Sequence, residues 1–140
     1  VIHKKETSIA VGTYPLGLDY VRLYAVPESR SGSVDFLPDD KGHTKVFVGI
    51  GSPWGESLST LLHEVYEKTF MDLGLRYRRN ASYSEDSSEY LFSMTHNQLG
   101  EVHDRVGDFL KECLPDFRHV WDKTKKEHLR RKKLEKKKKK

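Results

Sequence analysis

Apolar and polar residues alternate through "DYVRLYAV", Asp19 to Val26, with Val21, Leu23 and Ala25 on one side and Tyr20, Arg22 and Tyr24 on the other. This period of two predicts a strand with one polar-aromatic face, ended by Pro27. Ser8 to Val11 reads as a short strand before it, and "VDFL", Val34 to Leu37, as another after the "SRSGS" loop. "PDDKGH", Pro38 to His43, has the Pro, Asp and Gly content of a turn. "TKVFVGI" follows with the near-continuous apolar character of a buried strand. These runs predict a small, largely antiparallel sheet with hairpin connections.

The period then changes. Beyond "GSPWGES", the residues Leu58, Leu61, Leu62, Val65, Tyr66, Thr69 and Leu73 share one stripe at helical spacing, and Gly74 supplies a stop. "VGIGSPWGES" has the glycines of a phosphate-cradling loop but neither its Lys-Ser/Thr ending nor a dinucleotide fingerprint. Its glycines are therefore assigned to a tight strand-to-helix turn, and Trp54 to the edge of the core. Arg76 to Ser88 is polar and Ser-rich, which suggests a mobile loop, and Tyr90, Phe92 and Met94 then alternate along a strand. Thr95 with Gln98 forms a capping box for a second helix, whose stripe is Leu99, Val102, Val106, Phe109, Leu110 and Cys113. Pro115 ends that helix or starts another, with Phe117, Val120 and Trp121 still anchored to the body.

The expected fold is α+β: a mostly antiparallel sheet of four or five strands, with two or three helices, from Gly55 and from His96 onward, on one face. The 140 residues fit one domain, residues 1–122, followed by a basic Lys/Arg-rich tail, residues 123–140. Cys113 is the single cysteine, and the chain has no leading apolar signal segment and no apolar run near the ~18 residues of a membrane span. The expectation is a cytoplasmic protein without a membrane role.

Charge changes the picture more than composition does. The net +4 conceals a tail, Lys123 to Lys140, with 12 Lys or Arg against Glu127 and Glu135, a net +10. The remainder holds 13 basic and 19 acidic residues, a net −6. A folded face built to grip phosphate would carry its cations across that face, and this one does not. The tail reads as a phosphate or acidic-partner contact, through Lys125, Lys126, Arg130, Arg131, Lys132 and Lys133; the alternatives are a solvated helix extension fading into disorder or a tail docked on the acidic body itself. Without an aromatic after Trp121 it lacks stacking platforms, so any nucleic-acid contact is non-specific.

"LSTLLHEVYEKTF" raises a different chemistry. His63-Glu64 is followed at the fourth place by Glu67 rather than by the second His of a zinc peptidase helix. At about 100° per residue His63 and Glu67 lie together at the border of the apolar stripe, whereas Glu64 points to another side. On the second helix His103 projects from within the apolar stripe, and His96 lies on nearly the same bearing but roughly 10 Å earlier along the axis. A zinc-type site would draw on His63, Glu67 and one of His96 or His103, with Glu64 as general base if the site were hydrolytic. The alternative gives His63 a carboxylate partner, His103 a buried polar one, and no cofactor at all. Cys113 sits in an apolar stripe and reads as core rather than nucleophile.

"SLSTLLHEVYEKTFMDLGLRYR" followed by "EYLFSMTHNQLGEVHDRVGDFLKECLPDF" resembles small uncharacterised proteins of bacteriophages and mobile elements, in which an LLHE helix precedes a strand and an aromatic-rich T-H-x-Q turn. The resemblance spans Ser57 to Phe117 and implies no activity. It implies a context: phage accessory proteins of this size bind and block a host protein, host-defence nucleases included. The expected function is accordingly a non-enzymatic interaction protein with a macromolecular partner, a protein or a protein-nucleic-acid complex. The zinc-type metal protein stands beside it as the second expectation.

Overall fold

A computed structural model describes residues 7–78 and 90–140. The chain is α+β, with strands β1 (Ile9–Leu16), β2 (Asp19–Val26), β3 (Gly32–Asp35) and β4 (Thr44–Gly49), then helix α1 (Trp54–Asp72). Strands β5 (Arg76–Arg78) and β6 (Tyr90–Phe92) and helix α2 (His96–Lys138) follow. The expected loop of residues 76–88 begins as β5, and its remainder lies outside the described residues.

The main sheet has the order β1-β2-β4-β3. β1 and β2 form a hairpin around Gly17, and β3 and β4 pair antiparallel across the 36–43 turn. β4 then inserts between β3 and β2 and runs parallel to β2, Val21 beside Thr44 through Val26 beside Gly49. This parallel pair is the departure from a hairpin-only sheet. It is fixed where β4 ends: Ile50 N–H donates to the Val26 carbonyl at 3.0 Å and Gly51 N–H to that of Ser29 at 2.8 Å. A Cβ on Gly49 would stand 2.4 Å from the Ser29 carbonyl oxygen, so only glycine allows the chain leaving β2 to cross the end of β4.

The alternation of β2 places Val21, Leu23 and Ala25 in the core, beside Val46 and Val48 of β4 and Tyr14 and Leu16 of β1. Both helices cover this face. α2 contributes Val102, Val106, Phe109, Cys113 and Phe117, all buried. α1 contributes Leu61 and Val65, with Leu58, Leu62, Tyr66 and Phe70 partly buried at its flank. Tyr66 meets the His103 ring of α2 edge-on at 6.1 Å, and Phe70 meets Phe92 of β6 at 4.7 Å. The apolar stripe of α1 is thus shared between two neighbours, and more polar residues complete its sheet-facing side: Ser57, Glu64, Lys68 and Thr69 are buried there.

Two helix ends read from the sequence are present in full. Gly74, at φ +66°, closes α1 with its N–H on the Met71 carbonyl and that of Leu75 on the Phe70 carbonyl, the paired bonds of a Schellman stop. At α2, Thr95 and Gln98 exchange side-chain and backbone hydrogen bonds at 3.2 and 2.8 Å. Pro115, by contrast, neither ends α2 nor starts a new helix: the helix runs through it for 43 residues, about 65 Å. Pro115 is on the exposed side, with Cys113 and Phe117 buried on either side of it, so the missing hydrogen bond faces water while the core holds both halves in line.

Lys68 joins α1 to the sheet by charge. Its side chain is 3% exposed, and its Nζ lies 2.9 Å from Asp19 Oδ2 at the start of β2 and within hydrogen-bond reach of Asp72 Oδ2. Burial raises the Asp19 carboxyl, but the Lys68 hydrogen bond and charge, helped by Tyr20 N–H and the Thr44 hydroxyl, outweigh it and hold the pKa below its ordinary value. The expected cost of Lys68→Ala is about 2–3 kcal/mol in urea unfolding, because two carboxylates lose their buried partner. Lys68→Met, which keeps the stem, costs less. The Asp19 contribution is complete above the unfolded carboxylate pKa of about 3.9 and is lost as pH falls through the lower folded value, so Asp19→Asn flattens this acid limb. Equal urea midpoints for wild type and Lys68→Ala would refute the role.

Candidate interaction surface

The far end of α2 is rooted in aromatic side chains. Trp54, the first residue of α1, packs against Phe117 and Trp121 of α2 with ring centroids 5.7 Å apart in both cases. Trp121 Nε1–H donates to the Ser52 carbonyl at 3.2 Å, in the turn where Ser52 and Ser57 share a buried hydroxyl contact. The Arg118 guanidinium lies 4.5 Å from the Trp54 ring and 4.8 Å from that of Trp121, and its Nε is 3.3 Å from Asp122. Lys125 Nζ stands 5.3 Å from the centroid of the Trp121 ring. The expected anchoring of Phe117, Val120 and Trp121 is therefore present, with a cation-π contribution from Arg118 and Lys125 that the spacing Arg118, Trp121, Lys125 along one helix flank would have signalled.

Past this root the helix leaves the body. Every residue from Lys126 to Lys138 is exposed, a helical arm of about 20 Å that holds Lys126, Arg130, Arg131, Lys132 and Lys133, with Lys125 at its base. Leu129 and Leu134 are 58% and 50% exposed and lie outside the core cluster. Arg131 pairs with Glu127 at 2.9 Å, and Lys136, Lys137 and Lys138 occupy the last turn, where cations favour the helix dipole.

The histidine residues are placed otherwise. His63 is 66% exposed at its side chain, with Nε2 3.7 Å from Glu67 Oε1. His96 is exposed in the first turn of α2, and His103, expected within the apolar stripe, is exposed with the Tyr66 ring edge-on to it. Among the described residues no group of three or more His, Cys, Asp or Glu is placed to hold a metal ion. Among the described residues the structure brings together His63 and Glu67, and neither His96 nor His103 completes a group of three with them.

Glu64 lies on another side of α1 from His63, as the helical bearing implies, and that side is buried against the sheet: a Cβ on Gly32 of β3 would meet its Cγ at 2.7 Å and its Oε1 at 2.8 Å. Burial lifts its carboxyl above the ordinary value; His63 opposes the lift and Glu67 adds to it. Two further buried groups serve the core. Tyr14 O–H donates to Asp116 Oδ2 at 2.6 Å, tying β1 to α2, with its pKa raised by burial and then by that bond. Burial pushes the Cys113 thiol up to about 12, which keeps it a neutral core side chain.

Comparison with known proteins finds no matching family model, no similar curated protein and no similar solved structure.

Glu64 yields a prediction with a definite sign. The folded chain holds a proton at Glu64 more tightly than the unfolded chain, so stability through this group rises as pH falls and is lowest above the raised pKa. Glu64→Gln removes the buried charge and keeps the shape, and should raise the thermal midpoint at pH 7. The gain should vanish near pH 4, where the unfolded carboxyl is itself becoming protonated. A midpoint that falls at pH 7 would show that the carboxylate is held by a partner and is needed as an anion.

Proposed function

We propose that this protein is a non-enzymatic interaction protein that presents the basic end of α2 to an anionic macromolecular partner. The observation that supports it is the continuity of the helix: one element has a buried side running from Val102 to Phe117 and is exposed all round from Lys126 onward. The tail's net +10 is thereby carried on a fixed axis away from a body of net −6. A pre-ordered arm loses less conformational entropy on binding than a disordered lysine run would. Opposite charge on the partner steers the encounter, and opposite charge on the body keeps the arm as the place of approach. In the accessory-protein context, the partner is a host protein or protein-nucleic-acid complex of the cytoplasm, blocked by occupancy of its acidic or phosphate-lined face.

Two truncations test this. Removing Lys123–Lys140 should leave the thermal midpoint within about 3 °C, since it takes away no buried apolar side chain. It should abolish binding to duplex DNA and to polyglutamate, the two anionic probes. With the arm present, DNA affinity should fall by orders of magnitude between ~50 and ~200 mM salt. Removing everything from Phe117 instead should unfold the body, because Phe117, Val120 and Trp121 leave the core. Binding to either probe that survives the shorter deletion with its salt slope intact would move the contact to the body and sink the arm reading.

A further inference from the structure

Along the solvent side of α2, steps of three or four residues connect Glu101, Asp104, Asp108, Glu112, Pro115, His119, Lys123, Lys126, Arg130, Lys133 and Lys137. Ten steps cover 36 residues, a mean of 3.6, so these eleven positions form one straight stripe on the helix. All eleven are exposed. The buried Val102, Val106, Phe109, Cys113 and Phe117 lie about a third of a turn away. The first four stripe positions are acidic and the last five basic, with Pro115 and His119 between.

The helix dipole does not account for this division, because its influence fades within the first and last turn and the charges extend over many turns. Nor does pairing within the chain. Among the described residues Glu101 is bridged to Arg105 at 2.9 Å, while Asp104, Asp108, Glu112, Lys123, Lys126, Arg130, Lys133 and Lys137 enter no ion pair.

We propose that this stripe is a self-recognition surface, and that its occupant is a second copy of the chain lying antiparallel about His119. In that register Glu101 faces Lys137, Asp104 faces Lys133, Asp108 faces Arg130 and Glu112 faces Lys126. The twofold axis repeats each of these four pairings, giving eight contacts of opposite sign, while Lys123 faces Pro115 and His119 faces its own copy. A parallel arrangement would set acid against acid and base against base. At helix-pair spacings of about 8–10 Å the long Lys, Arg and Glu side chains reach one another. Pro115 is the stripe's single apolar side chain, so the dimer lacks a hydrophobic centre, is weak, and depends on low ionic strength. The inference goes beyond the anionic-partner reading and does not rest on it. Lys125, Arg131, Lys132 and Lys136 lie more than a quarter turn off the stripe and remain available to another partner.

Charge exchange tests the register. One variant carries Asp108→Lys with Glu112→Lys, the other Lys126→Glu with Arg130→Glu; all four positions are exposed, and circular dichroism verifies that α2 persists in both. In sedimentation velocity the wild type should form dimers at ~50 mM salt and weaken at least about tenfold by ~500 mM, where the screening length is only a few ångströms. Each variant alone should be monomeric. Mixed one to one they should recover the dimer, because every charged pairing across a mixed pair is again opposite in sign. A wild type that stays monomeric at ~50 mM salt would overturn the proposal. So would a variant that dimerises as tightly as wild type, or a mixture that remains monomeric.

Discussion

The contact between α2 and the sheet is the constraint on which the other features depend. Val102, Val106, Phe109, Cys113 and Phe117 are fixed against the strands, and Tyr14 of β1 reinforces them with its bond to Asp116. Starting a helix in water is costly, because several residues must be ordered for the first hydrogen bond, whereas extending one is nearly free of that cost. The packed segment supplies the start. An isolated lysine-rich stretch the length of the arm would be marginal, yet here it continues a helix whose core face is already held. Buried apolar residues around Phe117 thereby decide the conformation of charged residues that lie beyond the core.

Charge on α1 follows a related rule with two outcomes. Lys68 and Glu64 both face the sheet, four residues apart. Lys68 has Asp19 and Asp72 as partners and acts as an ionic link, while Glu64 lies against Gly32 and is driven toward its neutral form. The periodicity of apolar residues pointed to a stripe through Leu58, Leu61, Leu62, Val65, Tyr66, Thr69 and Leu73; Leu61, Val65 and Thr69 are buried, and the others are partly buried against the core, Tyr66 meeting α2. What the pattern could not show is that the side facing the sheet is partly polar. A buried charge is legible only when its partner is known, and Asp19 lies 49 residues away.

Local chemistry was legible where it is self-contained. The alternation of β2, the buried β4, the capping box at Thr95 and the stop at Gly74 each depend on residues within a few positions of one another, and each stands as read. The parallel pairing of β2 with β4 depends instead on the close approach of Ser29 to Gly49, a long-range contact with no periodic signature. Pro115 misled for a similar reason. Its penalty is a local property, but the buried neighbours that keep the helix going through it belong to the tertiary structure. The candidate site divides along the same line: the cations of the arm were visible as composition, while the Trp54 contact that roots them was not.

The same reasoning separates the two chemistries the sequence raised. A metal site needs side chains from a second element to converge within a few ångströms, so the short pattern His63-Glu64-x-x-Glu67 says little until the position of α2 is known. α2 sets its Tyr66-facing His103 and its terminal His96 outside any metal-sized cluster of described residues. An ionic arm needs no convergence. It needs only that its backbone stay ordered, and like charges four residues apart work against that. What offsets the repulsion is the run of Lys, Arg, Leu and Glu that, His128 apart, extends from Lys125 to Lys138, good helix formers without Gly or Pro, the Glu127–Arg131 pair, and cations in the final turn where the dipole favours them. The arm is consequently the part of the fold where stability is most sensitive to salt: screening relieves repulsion among its lysines and weakens its pull on anions at the same time, so the conditions that best order the arm are those in which it binds least.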